Sequence, residues 1–238
     1  MSTDGGSCRS QSWHSSSLFV PFVMPLLGVA LVITYTLHVP GEEDGVYVVS
    51  HACTVASVVD NWWNAILALF THSSVRHVYG NAAGVVLTGG FVEILQGHIR
   101  PLVIFFVGGV VGVWAWASFK DPSDRYVGAS PGVYALGSSL GAHMLYNHKE
   151  TPFRIFWIIL FILFLGLATY NVVSFVQDRL PNVAYTSHAG GALTGLFTGL
   201  AVMHNYIQGT SDSAMRMLGV VATLSTISLT SYGATCQD

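Results

Sequence analysis

The sequence predicts an all-α polytopic membrane protein, a single bundle of spanning helices. Three observations carry this reading. Only 9% of the 238 residues are charged, against about 25% in a soluble domain. The mean hydropathy is +0.55. Uncharged windows long enough, or nearly so, to cross a bilayer recur seven times along the chain. This composition argues against a water-soluble enzyme and a disordered chain. A nucleic-acid partner is disfavoured too, because the nine basic residues are scattered singly rather than clustered.

A helix crossing ~30 Å of hydrocarbon needs ~20 mostly apolar residues. Reading between the charges places helices near 19–39, 77–96, 101–119, 130–148, 153–175, 185–206 and 214–232. The second window continues past Glu93 through Ile94 and Leu95, so this carboxylate is expected at the interface. The seventh is the most polar and is rich in Ser and Thr. Residues 40–76 contain uncharged runs too short to cross, with Trp62 and Trp63, a residue type that favours the headgroup level. They read as a long loop on or partly in the membrane surface, with a soluble hairpin as the alternative.

The first 17 residues are Ser-rich and read as a disordered tail. The apolar stretch that follows exceeds the roughly 7–15 residues of a signal-peptide core, so it reads as a retained helix. The organisation is then a tail (1–17), a core (18–206), and a linker, seventh helix and short tail (207–238). Arg9, Arg100, Lys149, Arg154 and Arg216 fall on one side, and Arg76, Lys120, Arg125 and Arg179 on the other. The excess places the N-terminus in the cytosol and the long first loop outside. Three cysteines make no disulfide framework, and pairing of Cys53 with Cys236 is left open.

Polar groups at bilayer depth are costly and face the bundle interior. Three clusters draw attention. His77 and Asn81 stand four apart at the start of the second span, hence on one helical face. Ser130 stands between Gly128 and Gly132 at the start of the fourth span. His188 precedes Gly190-Gly191 in the sixth. At 100° per residue, Ser130, Tyr134, Gly137 and Gly141 form one stripe, and His188, Gly191, Gly195 and Gly199 another. Small residues at this spacing let helices approach backbone to backbone. Facing stripes would bring Ser130 and His188 together, because both helices start on the same side.

Such a pair has a definite chemistry. A serine hydroxyl becomes a good nucleophile when an imidazole accepts its proton. No carboxylate lies centrally in any span, so the arrangement is a Ser-His dyad without the acid of a triad. Tyr134, one turn below Ser130, is placed to pack on the imidazole and orient it. The oxyanion formed on attack needs preorganised donors, for which the Asn81 amide, the His77 imidazole and the Ser130 N–H are candidates. No metal is implied, since the ten histidines contain no His-Glu-x-x-His pattern. Acyl transfer needs no cofactor.

From Trp63 to about Gly199 the chain resembles the rhomboids, a family of intramembrane serine proteases. The resemblance rests on Trp63, Phe70-Thr71-His72, His77-x-x-x-Asn81, Gly128-Ala129-Ser130 with Val133-Tyr134-Ala135-Leu136, and His188 with Gly191 and Gly195. It implies a six-helix bundle with a seventh helix added, as in the animal secretase-type members. It also implies Ser130 as nucleophile, His188 as base, and His77 and Asn81 as oxyanion partners. The implied substrates are single-span membrane proteins in the bilayer, and the implied location is the secretory pathway or plasma membrane.

Two positions depart from the family pattern. Pro131 follows the serine where the family has Gly, and Asn64 follows Trp63 where Arg is common. Proline is tolerated in a first helical turn, but it stiffens the site and pushes Ser130 toward extended dihedrals. A rival expectation is a silent homologue that binds transmembrane clients and affects their trafficking or turnover. A small transporter would explain the polar residues but not the Gly-x-Ser and His geometry.

Overall fold

The structure, a computed structural model, describes residues 18–38, 53–176, 184–207 and 212–235. The expected tail 1–17, the first part of the long loop and Cys236 lie outside the described residues. The elements run in the order α1 (Val23–His38), β1 (Cys53–Thr54), α2 (Val55–Asp60), α3 (Asn64–Phe70), α4 (Val75–Gln96), α5 (Ile99–Ala117), β2 (Arg125–Tyr126), α6 (Ser130–Asn147), α7 (Arg154–Val176), α8 (Tyr185–Val202) and α9 (Asp212–Thr235). A helix therefore stands at each of the seven windows.

Three of them, α4, α5 and α9, are long and apolar enough to cross a membrane by length and composition. The helices α6 and α8 owe their lower hydropathy to Ser, Gly, Thr and His. Much of that polarity is turned inward: Ser138, Ser139, His143, Ser187, Thr194 and Thr198 are all buried. The helices α5, α6 and α8 pack mutually at the centre, and α9 lies outermost against α8 and α5.

Two sequence expectations are revised by contacts distant in the chain. Glu93 relies on neither water nor headgroups, because protein encloses it: its side chain is 0% exposed. Its carboxylate accepts from the backbone N–H of Phe22, Val23 and Met24 at 2.9–3.1 Å and lies 2.6 Å from His98 Nδ1. A carboxylate at a helix N-terminus satisfies orphan donors and meets the positive end of the dipole. Here the cap comes from another helix. It also accounts for α1 beginning at Val23 rather than near residue 19, while Phe19 N–H donates to Ile94 O outside the helix.

The loop is the second correction. Residues 53–76 are not a plain loop but fold into β1, α2, α3 and the first residues of α4. Thr54 and Ser57 form a capping box on α2, and Ser74 Oγ accepts from His77 N–H to start α4. The two-residue strand β1 pairs antiparallel with β2, Cys53 opposite Tyr126 and Thr54 opposite Arg125. Trp62 and Trp63 are exposed. Within α4, residues Val85–Gly89 make a π-turn.

The glycine stripes are corrected in register. On α8 the expected face is right: a Cβ at Gly191 would lie 2.8 Å from the Pro131 carbonyl carbon, closer to its oxygen, and one at Gly195 would strike the Ala135 backbone. Gly199 meets Ala142 and Ser139. On α6, however, the face toward α8 is Pro131, Ala135, Ser139 and Ala142, about one residue round from the expected stripe. Gly137 and Gly141 instead receive Phe164 and Phe161 of α7, and Gly132 receives Phe105 of α5. One residue turns a helix by 100°, which is the angle between its contacts with α7 and with α8.

Candidate active site

Each of the elements that build the site ends where its polar residue is needed. Ser74 starts α4, so His77 falls in its first turn and Asn81 one turn on. The segment before α6 is tied down on two sides. Gly128 N–H donates to Ala68 O of α3 at 2.9 Å, and Cys53 Sγ donates to Tyr126 O at 3.5 Å. Gly128 has φ +120°, and a Cβ there would meet the His77 ring at 2.8 Å. Gly128 therefore serves no helix packing; it is the residue that lets the loop close over His77.

Ser130 is the first residue of α6, with Pro131 beside it in the first turn. The expected push of Ser130 toward an extended backbone is overridden. Val133 N–H donates to Ala129 O, closing the turn, and α8 presses on the Pro131 carbonyl through Gly191.

The structure brings Ser130 and His188 together. Ser130 Oγ lies 2.9 Å from His188 Nε2. The Tyr134 ring stacks on the imidazole at 4.4 Å between centroids and 11° between planes. His188 Nδ1 is buried and has no hydrogen-bond partner among the described residues. The ring is thus oriented by stacking rather than by a carboxylate. A tyrosine face also attracts a cation, so the stacking would favour a protonated imidazole over a neutral one.

His77 and Asn81 stand against Gly128. Asn81 Nδ2 donates to His72 Nε2 at 3.0 Å, which leaves its second N–H free to serve another acceptor. Ser73 Oγ is 3.0 Å from His77 Nδ1. With Ser73 donating, His77 Nε2 carries the proton and points toward Gly128. Ser73, His77 and Asn81, with Ser130, Tyr134 and His188, line one open cavity of about 760 Å³, to which Lys120, Asp124 and Arg125 also contribute. Among the described residues no group of three or more His, Cys, Asp or Glu could hold a metal ion.

Sequence reasoning missed several groups here. Ser73 stands four before His77, a spacing that could have suggested the contact. His72 is fully buried and edge-on to His77; burial, with His77 adding to the effect, pushes its pKa down to about 3. Tyr126 and Ser187 share a hydrogen bond of 2.8 Å across 61 residues, and no local pattern announces such a pair.

Comparison with known proteins agrees with this geometry. The Rhomboid domain model matches residues 59–205. Rhomboid-related protein 1 of Caenorhabditis elegans is 28% identical over 156 residues, 65% of this chain and 44% of the relative. Rhomboid-type serine protease 2 of Emericella nidulans is 28% identical over 148 residues, 61% of this chain and 28% of the relative. Inactive rhomboid protein 2 of Homo sapiens is 25% identical over 169 residues, 70% of this chain and 19% of the relative. The chain spans less than half the length of each of these relatives. A domain match over more than half of the sequence, together with a half-buried serine–histidine contact between two closely packed helices, assigns the chain to the rhomboid family.

Proposed function

We propose that the protein is an intramembrane serine endopeptidase that cleaves single-span membrane proteins with a Ser130–His188 dyad. The observation that carries the reading is the 2.9 Å contact between Ser130 Oγ and His188 Nε2, stacked on Tyr134 and open to a cavity. His188 Nε2 takes the serine proton as Oγ attacks the substrate carbonyl. The tetrahedral oxyanion draws donors from Asn81, His77 and the Ser130 N–H. Collapse passes the proton to the leaving amine and leaves an acyl-serine. Water, deprotonated by His188, then releases the acid.

The chain is an integral membrane protein by its apolar helices and its family. The finer picture belongs to the proposal: a core of six crossings over residues 18–206, a seventh crossing by α9, the N-terminus in the cytosol, and a cavity facing the lumen or exterior. The proposal requires neither a metal nor a cofactor.

A second reading, a client-binding protein without protease activity, draws support from Pro131 after the serine and from a relative named inactive. One experiment separates the two. Purified protein in proteoliposomes is given a single-span substrate, beside a Ser130→Ala variant. Cleavage lost only in the variant supports the protease; capture of the substrate without cleavage by either form supports the client-binding reading.

A further inference from the structure

Tyr126 is held at every point of its structure. Its backbone pairs with Cys53 in the two-stranded ladder, and its carbonyl accepts from the Cys53 thiol. Its ring lies against Trp116 of α5, 5.1 Å between centroids. Its hydroxyl is 2.8 Å from Ser187 Oγ, and the Ser130 hydroxyl also faces it. The side chain is 3% exposed and lines the same cavity as the dyad. Burial pushes the phenol up from its ordinary pKa, so it keeps the proton it shares with Ser187.

Ser187 is the residue immediately before His188, and Tyr126 stands four residues before Ser130. One hydrogen bond therefore joins the segment that delivers the nucleophile to the helical turn that delivers the base. The same place is crowded on the far side, where a Cβ on Gly112 of α5 would meet Ser187 O at 2.7 Å and would also strike Pro131. Packing at Gly112 limits how closely the two helices can approach. The phenol–serine bond limits how far they can separate.

We propose that Tyr126 and Ser187 are a positioning pair, whose hydrogen bond sets the distance between Ser130 and His188. The proposal rests on the dyad reading. Neither hydroxyl takes the reacting proton; the pair acts by placing Ser130 and His188 relative to one another.

The test uses the full chain in detergent or proteoliposomes, with Tyr126→Phe, Ser187→Ala, the double variant and Ser187→Thr. Substrate kcat and KM, the rate of fluorophosphonate labelling and the melting temperature are measured on each. Each single variant should lose about tenfold in kcat and in labelling rate, the scale of one buried hydrogen bond, with KM unchanged. The double variant should be no worse than either single one, and Ser187→Thr should recover most of the rate. Wild-type kcat in Tyr126→Phe, losses that multiply in the double variant, or a lower melting temperature with kcat intact would each overturn it. Histidine side-chain ¹⁵N spectra, with His188 assigned by His188→Ala, provide a readout independent of turnover. Tyr126→Phe should shift the His188 Nε2 resonance even if the wild type cleaves nothing, the result that would count against the dyad alone. An unmoved resonance would count against the pair.

Discussion

Replacing Gly191 with alanine places a methyl group 2.8 Å from the Pro131 carbonyl carbon and Cα. Ordinary carbon contacts begin near ~3.5 Å, and the obstacle is backbone, so no side-chain rotation relieves it. The helices α6 and α8 must part by at least about 0.7 Å, since the Pro131 carbonyl oxygen lies closer still, at a point one residue from Ser130 and three from His188. If the shift adds along their line, the 2.9 Å hydrogen bond opens to about 3.6 Å, beyond bonding range. Overpacking of this kind costs ~1–3 kcal/mol, offset in part by up to ~1 kcal/mol of better helix propensity.

A net loss of about 1–2 kcal/mol corresponds to roughly 2–8 °C in melting temperature for a domain of this size. Cleavage should fall further, on the order of ten- to a hundredfold, since small misplacements of reacting groups are costly. Thermal unfolding and substrate cleavage are measured on the same preparation. Gly166→Ala on α7 is the control, because nothing lies within 4 Å of a Cβ there; it should be neutral or slightly stabilising. A Gly191→Ala protein with wild-type melting and wild-type cleavage would refute the close-packing argument.

Three other expectations concern the site. Ser130→Ala and His188→Ala should both abolish fluorophosphonate labelling and cleavage, while the buried Ser138 and Ser139, bonded to backbone carbonyls, stay unlabelled. His77→Ala should preserve the fold and Ser130 labelling while slowing cleavage on the order of 10²–10³-fold. Asn81→Ala should slow cleavage similarly and also lose about 1–3 kcal/mol of stability, because buried His72 Nε2 loses its donor. Cleavage at the wild-type rate in either variant removes that residue from the oxyanion site. His72 supplies a pH dependence: burial holds its folded pKa at about 3, below the ordinary imidazole value of about 6.5, so the unfolded chain binds the proton first. Its contribution to stability is complete above pH 6.5 and falls as pH drops toward 3, by up to ~1.4 kcal/mol per unit. His72→Gln should flatten the melting-temperature profile between pH 7 and pH 5; an unchanged slope would refute this.

Features that depend on short segments of chain were legible in the order of the residues. Charges cannot sit cheaply in hydrocarbon, so the gaps between them marked where seven helices run, within a few residues at most ends. Helical spacing put His77 with Asn81, Ser130 with Tyr134, and His188 with Gly191. Tertiary structure decided how each helix is rotated and which distant groups meet. Gly137 and Gly141 accept α7 because α6 turns a different face to α8, and a 100° rotation leaves no trace in composition. Glu93 is buried because the first N–H groups of α1 come to it from 69–71 residues away. Tyr126 meets Ser187 for the same kind of reason. Such contacts depend on packing volume and hydrogen-bond satisfaction summed over the whole bundle, and no local window of sequence contains that sum.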